Sequence, residues 1–182
     1  DFENPKLYFD DGYSTIENRI QSESLLTFER VISKYIKDKE VSWGKKQREA
    51  QVAKLNYFLT YAEEIDGKSA NVRTLESITS NDARNYKEHL HGVPPNTSKR
   101  FPDLTPSQAV KKAEQDGLKT LSQTSQNNYL QVLSTLYSFA KKELDYDGKN
   151  PFEGRGETKA AKKLQRDQRD AFSQRQLEVL FS

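Results

Sequence analysis

The stretch from Ser122 to Leu144 constrains the fold more than any other part of this chain. Tyr129, Leu130, Val132, Leu133, Leu136, Tyr137, Phe139, Ala140 and Leu144 recur at helical spacing but are too many for one narrow apolar stripe. A helix that is apolar around most of its girth belongs at the centre of a bundle. Asp147-Gly148 and then Asn150-Pro151-Phe152 supply the turn that ends it.

Other helices should wrap around it. Helical signal begins at Leu25: Phe28, Val31, Ile32, Tyr35 and Ile36 form one buried stripe, and Lys37 to Glu40 ends it with charge. A second helix is predicted from about Gly44 to Glu64, with Val52, Leu55, Phe58, Leu59, Ala62 and Ile65 on one face and Asp66-Gly67 as its stop. Thr79 and Asp82 make a capping box ahead of Ala83, Tyr86 and Leu90, and Gly92 with Pro94-Pro95 stops this third helix. After a basic turn at Lys99-Arg100, Thr105-Pro106-Ser107-Gln108 repeats the capping signature for a helix carrying Ala109, Val110 and Ala113 that stops at Gly117. No segment sustains the period-two alternation of a strand. The expected fold is therefore all-α, a bundle of four or five helices. It occupies residues 25–153 after a leader or arm at 1–24. A basic linker over 154–171 follows, then a short helix within 172–182 carrying Leu177, Leu180 and Phe181.

Composition narrows the function classes. Hydrophobic residues are 34% and mean hydropathy is −0.95, yet 9 Tyr and 9 Phe supply core material that a disordered chain lacks. The chain has no cysteine, which excludes disulfides, structural zinc and thiol catalysis. No apolar run approaches the roughly 20 residues needed to span a bilayer, and no signal peptide opens the sequence, so a soluble intracellular protein is expected. Methionine is absent even at position 1, which predicts a piece excised from a longer chain. Net charge is only +2, but the first forty residues lean acidic and the last thirty lean basic.

Residues suited to catalysis are scarce. His89 and His91 are the only histidines, and their spacing does not place both on one helix face. There is no phosphate-cradling glycine loop and no nucleophile elbow. No catalytic residue, metal or cofactor is expected. Polar residues do concentrate at helix starts. Ser122-Gln123-Thr124-Ser125-Gln126-Asn127-Asn128 holds more short hydrogen-bonding side chains than one cap requires. Each can be read as a cap. The surplus can also be read as a seat for phosphate at the positive helix end, with side chains in reach of base edges. Trp43 with Lys45, Lys46 and Arg48 makes a similar head on the second helix, with Trp43 read as packing rather than stacking.

The order of these segments resembles the core-binding, SAM-like domain of phage-integrase-type tyrosine recombinases. Ser122 to Ala140 followed by Lys149-Asn150-Pro151-Phe152 is similar to that domain's final helix and exit. Leu75 to Leu90 resembles the family's Leu-x-x-Ile-Thr-x-x-Asp helix, and Pro94 to Leu104 an insertion found in one branch. Arg169 to Ser173, running into Leu177 and Phe181, resembles the start of the catalytic domain. The resemblance implies an orthogonal bundle that grips double-stranded DNA at a core site on behalf of a cytoplasmic, nucleoid-associated bacterial or phage recombinase. It also implies that the parent assembles as a tetramer on DNA, that this fragment is monomeric, and that the catalytic set lies past Ser182, so this piece is no enzyme.

On that reading Ser122, Thr124, Ser125, Asn127 and Asn128 enter the groove, while Lys45, Lys46, Arg48, Lys99 and Arg100 meet phosphates. Lys159, Lys162, Lys163 and Arg166 would track the backbone along the linker, the alternative being that they only solvate it. A rival from another class is a helical protein–protein interaction module. A helix-turn-helix regulator is disfavoured, because no compact helix pair is joined by a three- or four-residue turn.

Overall fold

The structure, a computed structural model, describes residues 25–156. They form five helices of ten residues or more and a sixth of a single turn: α1 (Phe28–Lys39), α2 (Lys45–Asp66), α3 (Ser80–Leu90), α4 (Thr97–Arg100), α5 (Pro106–Gln115) and α6 (Gln123–Glu143). Among the described residues there is no strand, only an isolated antiparallel bridge between Thr27 and Thr74. No helix among them is long and apolar enough to cross a membrane.

The helix boundaries follow local chemistry. Thr27 caps α1, and the helix's next orphan donors are met from outside: Phe28 N–H donates to Arg73 O at 2.8 Å and Glu29 N–H to Ala70 O at 3.2 Å. Gly67, at φ +71, closes α2 in the left-handed conformation that glycine adopts without a Cβ penalty. Both predicted capping boxes form, Thr79 with Asp82 and Thr105 with Gln108.

Two expectations are corrected. The capping box places the helix start at Thr79, as found, but the helix from Leu75 that the family resemblance implied is broken. Leu75–Ser77 is a single 3-10 turn, Ile78 and Thr79 are extended, and α3 starts only at Ser80. The break leaves Leu75 buried, and its carbonyl accepts both from Ile78 N–H at 3.4 Å and from the buried Tyr137 hydroxyl at 2.9 Å. The Lys99-Arg100 turn is the end of α4, a one-turn helix entered through Asn96 at φ 58 and pinned by the Thr97 hydroxyl donating to Pro94 O at 2.6 Å.

α6 takes the central place its sequence demands, packing against α1, α2 and α3. Leu130, Val132, Leu133, Leu136, Tyr137 and Ala140 are buried, and Tyr129, Phe139 and Leu144 are half-buried. The buried face of α2 is turned relative to the expected stripe. Leu55, Phe58 and Ala62 lie inside as predicted, but Tyr57 and Tyr61 join them while Ile65 is 65% exposed. The reason lies on neighbouring helices: Tyr57 packs edge-on to Tyr129 at 5.7 Å, and Tyr61 lies 4.5 Å from the His89 ring.

The Asn-Pro-Phe exit closes the bundle. Asn150 Nδ2 donates to Ser134 O and Oγ, both at 3.1 Å, while its Oδ1 accepts from Phe152 N–H at 3.1 Å. Phe152 then inserts between Phe58 and Tyr137. Arg155 fastens the departing chain, its Nη2 donating to Ser80 O at 2.8 Å.

Candidate nucleic-acid interface

The head of α6 divides its polar run between capping and exposure. Ser122 Oγ accepts from Ser125 N–H at 3.3 Å, and the two hydroxyls are 3.0 Å apart, so this pair serves as the cap. Gln123 Nε2 donates to Asn127 Oδ1 at 3.5 Å, and the backbone of Gly156 passes alongside Asn127. Thr124 and Asn128 are exposed. Gln126, which sequence reasoning had left undistinguished within the run, turns inward. It is 6% exposed and donates to Leu121 O at 2.9 Å. Its fourth-residue spacing from Leu130 on the buried face is the signal that could have separated it from its neighbours.

A basic neighbour flanks this head. Leu121 N–H donates to Val93 O at 2.7 Å, which sets the approach to α6 beside the segment leading into α4. Lys99 and Arg100 are exposed on α4, and exposed Lys119, which the sequence reading passed over, stands three residues before Ser122. No acidic residue occupies the first turn of α6 or of α2, whereas α1 and α3 carry Glu29 and Asp82 there. The positive ends of α6 and α2 are therefore left without a carboxylate of their own.

Lys45, Lys46 and Arg48 do not join that cluster. Tyr57 meets Tyr129, while Trp43 packs edge-on at 5.3 Å to Tyr35, which in turn lies 5.2 Å from Phe139. α2 and α6 thus run antiparallel, and Tyr35 links the head of α2 to the Phe139 end of α6. From Ser122 to Phe139 is about 25 Å of helix axis at ~1.5 Å per residue. Lys45 and Lys46 are exposed, and Arg48 reaches Glu40 at 3.5 Å across solvent. Trp43 is a packing residue in this structure, half-buried on Tyr35. Lys159, Lys162, Lys163 and Arg166 lie outside the described residues, as do the predicted arm and the last helix.

The one histidine drawn inside is held by aromatics. His89 Nε2 is 2.9 Å from the Tyr57 hydroxyl, and its ring packs on Tyr61. Burial pushes its imidazole down to about 4 against the pull of Glu64, so it is neutral at pH 7. Among the described residues no group of three or more His, Cys, Asp and Glu side chains is placed to hold a metal ion. No family model matches this sequence, and no curated protein and no solved structure matches it either.

Proposed function

We propose that this chain is the non-catalytic DNA-gripping domain of a site-specific tyrosine recombinase of the phage-integrase type, an orthogonal helical bundle that binds duplex DNA at a core site. The observation that carries the reading is the head of α6. There Ser122 and Ser125 satisfy the cap between them, Thr124 and Asn128 stay exposed, and Lys99, Arg100 and Lys119 stand on the adjoining segments. Such a head offers backbone N–H groups and a positive dipole end to a phosphate, with amide and hydroxyl side chains for base edges.

The separate basic head of α2 adds a second phosphate contact. Its distance of about 25 Å exceeds the major-groove width of roughly 12 Å, so the two heads would reach different phosphate runs. Few charges are engaged. Affinity for the isolated piece is therefore expected in the non-specific range, a Kd of roughly 10⁻⁴–10⁻⁶ M.

Fluorescence anisotropy with a labelled duplex tests this. Lys99→Ala/Arg100→Ala should weaken binding to every sequence, while Thr124→Ala/Asn128→Ala should reduce discrimination between sequences. If both variants bind as the parent does, the α6 head is not the DNA contact. The protein-interaction reading is favoured by a different observation, an apolar cleft between the end of α2 and the start of α3 that Asp66, Arg73 and Asp82 help to line.

A further inference from the structure

That cleft lies between the end of α2, the 3-10 turn and α3, with a volume of about 110 Å³. Cavities of about 150 Å³ hold a whole benzene ring; this cleft is smaller but open on one side, so it can seat part of one bulky side chain and not a cofactor. Phe58, Tyr61, Ala62 and Ile65 supply one apolar wall and Ile78 another. Ile65 sits at its edge 65% exposed, an apolar side chain that the core does not use.

Two polar features specify what would fit. Arg73 lines the cleft at only 3% exposure. Its Nη2 is engaged by Asp66 and by Lys68 O, but its Nε–H is buried with no partner. A buried donor left unpaired is costly, and an occupant presenting a carbonyl oxygen would relieve it. The charged residues lining the cleft are Asp66, Asp82 and Arg73, so one negative charge is left over. A phosphate would be repelled there, and a cation beside the apolar group would be favoured.

We propose that this cleft docks an extended segment of a partner protein bearing a bulky apolar side chain next to a lysine or arginine. The apolar group fills the space against Phe58, Ala62 and Ile65. The adjoining backbone carbonyl accepts from Arg73 Nε–H, and the basic side chain faces Asp82. Nothing in this assignment depends on the DNA reading, because the cleft's residues and charge are distinct from those of the α6 head.

The test is a titration of the isotope-labelled 182-residue chain with acetyl-Lys-Phe-Gly-amide, read by NMR. Shifts should concentrate at Ile65, Ile78, Asn85 and the Arg73 Nε–H. Acetyl-Lys-Ala-Gly-amide should bind about tenfold or more weakly, since a buried phenyl group is worth at least one decade. Acetyl-Glu-Phe-Gly-amide should lose about two- to fivefold, the size of an exposed charge pair. Ile65→Ala, at an exposed position that should leave folding intact, should weaken the lysine–phenylalanine peptide, and Ala62→Leu should block it. Equal binding of the alanine peptide overturns the proposal. So do shifts scattered over the surface, or no shifts at a peptide concentration of about 10 mM, where even weak binding registers.

Discussion

Replacing Phe152 by alanine should unfasten the segment that closes the bundle. The side chain is 1% exposed, stands edge-on to Phe58 at 5.4 Å and lies 5.8 Å from Tyr137. Removing a buried phenyl group costs about 3–5 kcal/mol, depending on how far the site can collapse. Collapse is resisted here, because Phe58 is also held by Phe28 at 5.7 Å and Tyr86 at 5.0 Å. The upper half of that range is therefore expected, against a typical net stability of about 5–15 kcal/mol. Urea unfolding should be followed by far-UV dichroism and by fluorescence of the lone Trp43, which reports on its packing against Tyr35. The midpoint should fall with the slope unchanged, and Phe152→Leu should recover most of the loss. A cost below about 1 kcal/mol would refute the reasoning, since it lies well under any measured range for such a deletion.

His89 makes stability fall with acid. Its folded pKa of about 4 lies below the ordinary 6.5, so the unfolded chain binds more protons between those values. The stabilisation is then complete above pH 6.5 and is lost as pH drops toward 4. At about 1.4 kcal/mol per pKa unit the gap between those two values amounts to roughly 3.5 kcal/mol. His89→Gln should show a flatter loss than the parent over that interval in pH-dependent urea melts, and parallel curves would contradict it. Glu64 holds the start of α5 from outside, accepting from Thr105 Oγ1 at 2.7 Å and Ser107 N–H at 3.0 Å. Although partial burial pushes its carboxyl up, these hydrogen bonds carry it below the ordinary value. Glu64→Ala should cost about 0.5–2 kcal/mol, the size of a lost helix cap, and the deficit against the parent should shrink as pH falls below 4.5 toward the depressed folded value. A deficit independent of pH would show that the carboxylate charge is not what matters.

The features legible in the sequence are those set by neighbours along the chain. Thr79 and Thr105 announce their helices because a cap needs only the next three residues, and Gly67 ends α2 through its own backbone freedom. The central place of α6 was legible because no other position buries so wide an apolar girth. The turned face of α2 was not, since tyrosine suits either surface or core. Tyr86, His89 and Tyr129, distant in sequence, supply the partners against which Tyr57 and Tyr61 go inside. The candidate site divides in the same way. Dense polarity at the α6 head could be read locally, but its separation from Lys45, Lys46 and Arg48 follows from the antiparallel packing of two helices. The inward turn of Gln126 is decided by Leu121 O, a partner of the fold.

The central claim is that basic side chains around the α6 head neutralise DNA phosphates, and the salt dependence of duplex binding tests it most directly. Each phosphate contact contributes about −0.9 to the slope of log affinity against log salt. Lys99, Arg100 and Lys119 together should therefore give a slope of about −3, steeper if the α2 head also engages, and Lys99→Ala/Arg100→Ala should flatten it by about 2. A slope unchanged by that substitution, or no binding to duplex at about 50 mM salt, where phosphate contacts are strong, would contradict the account.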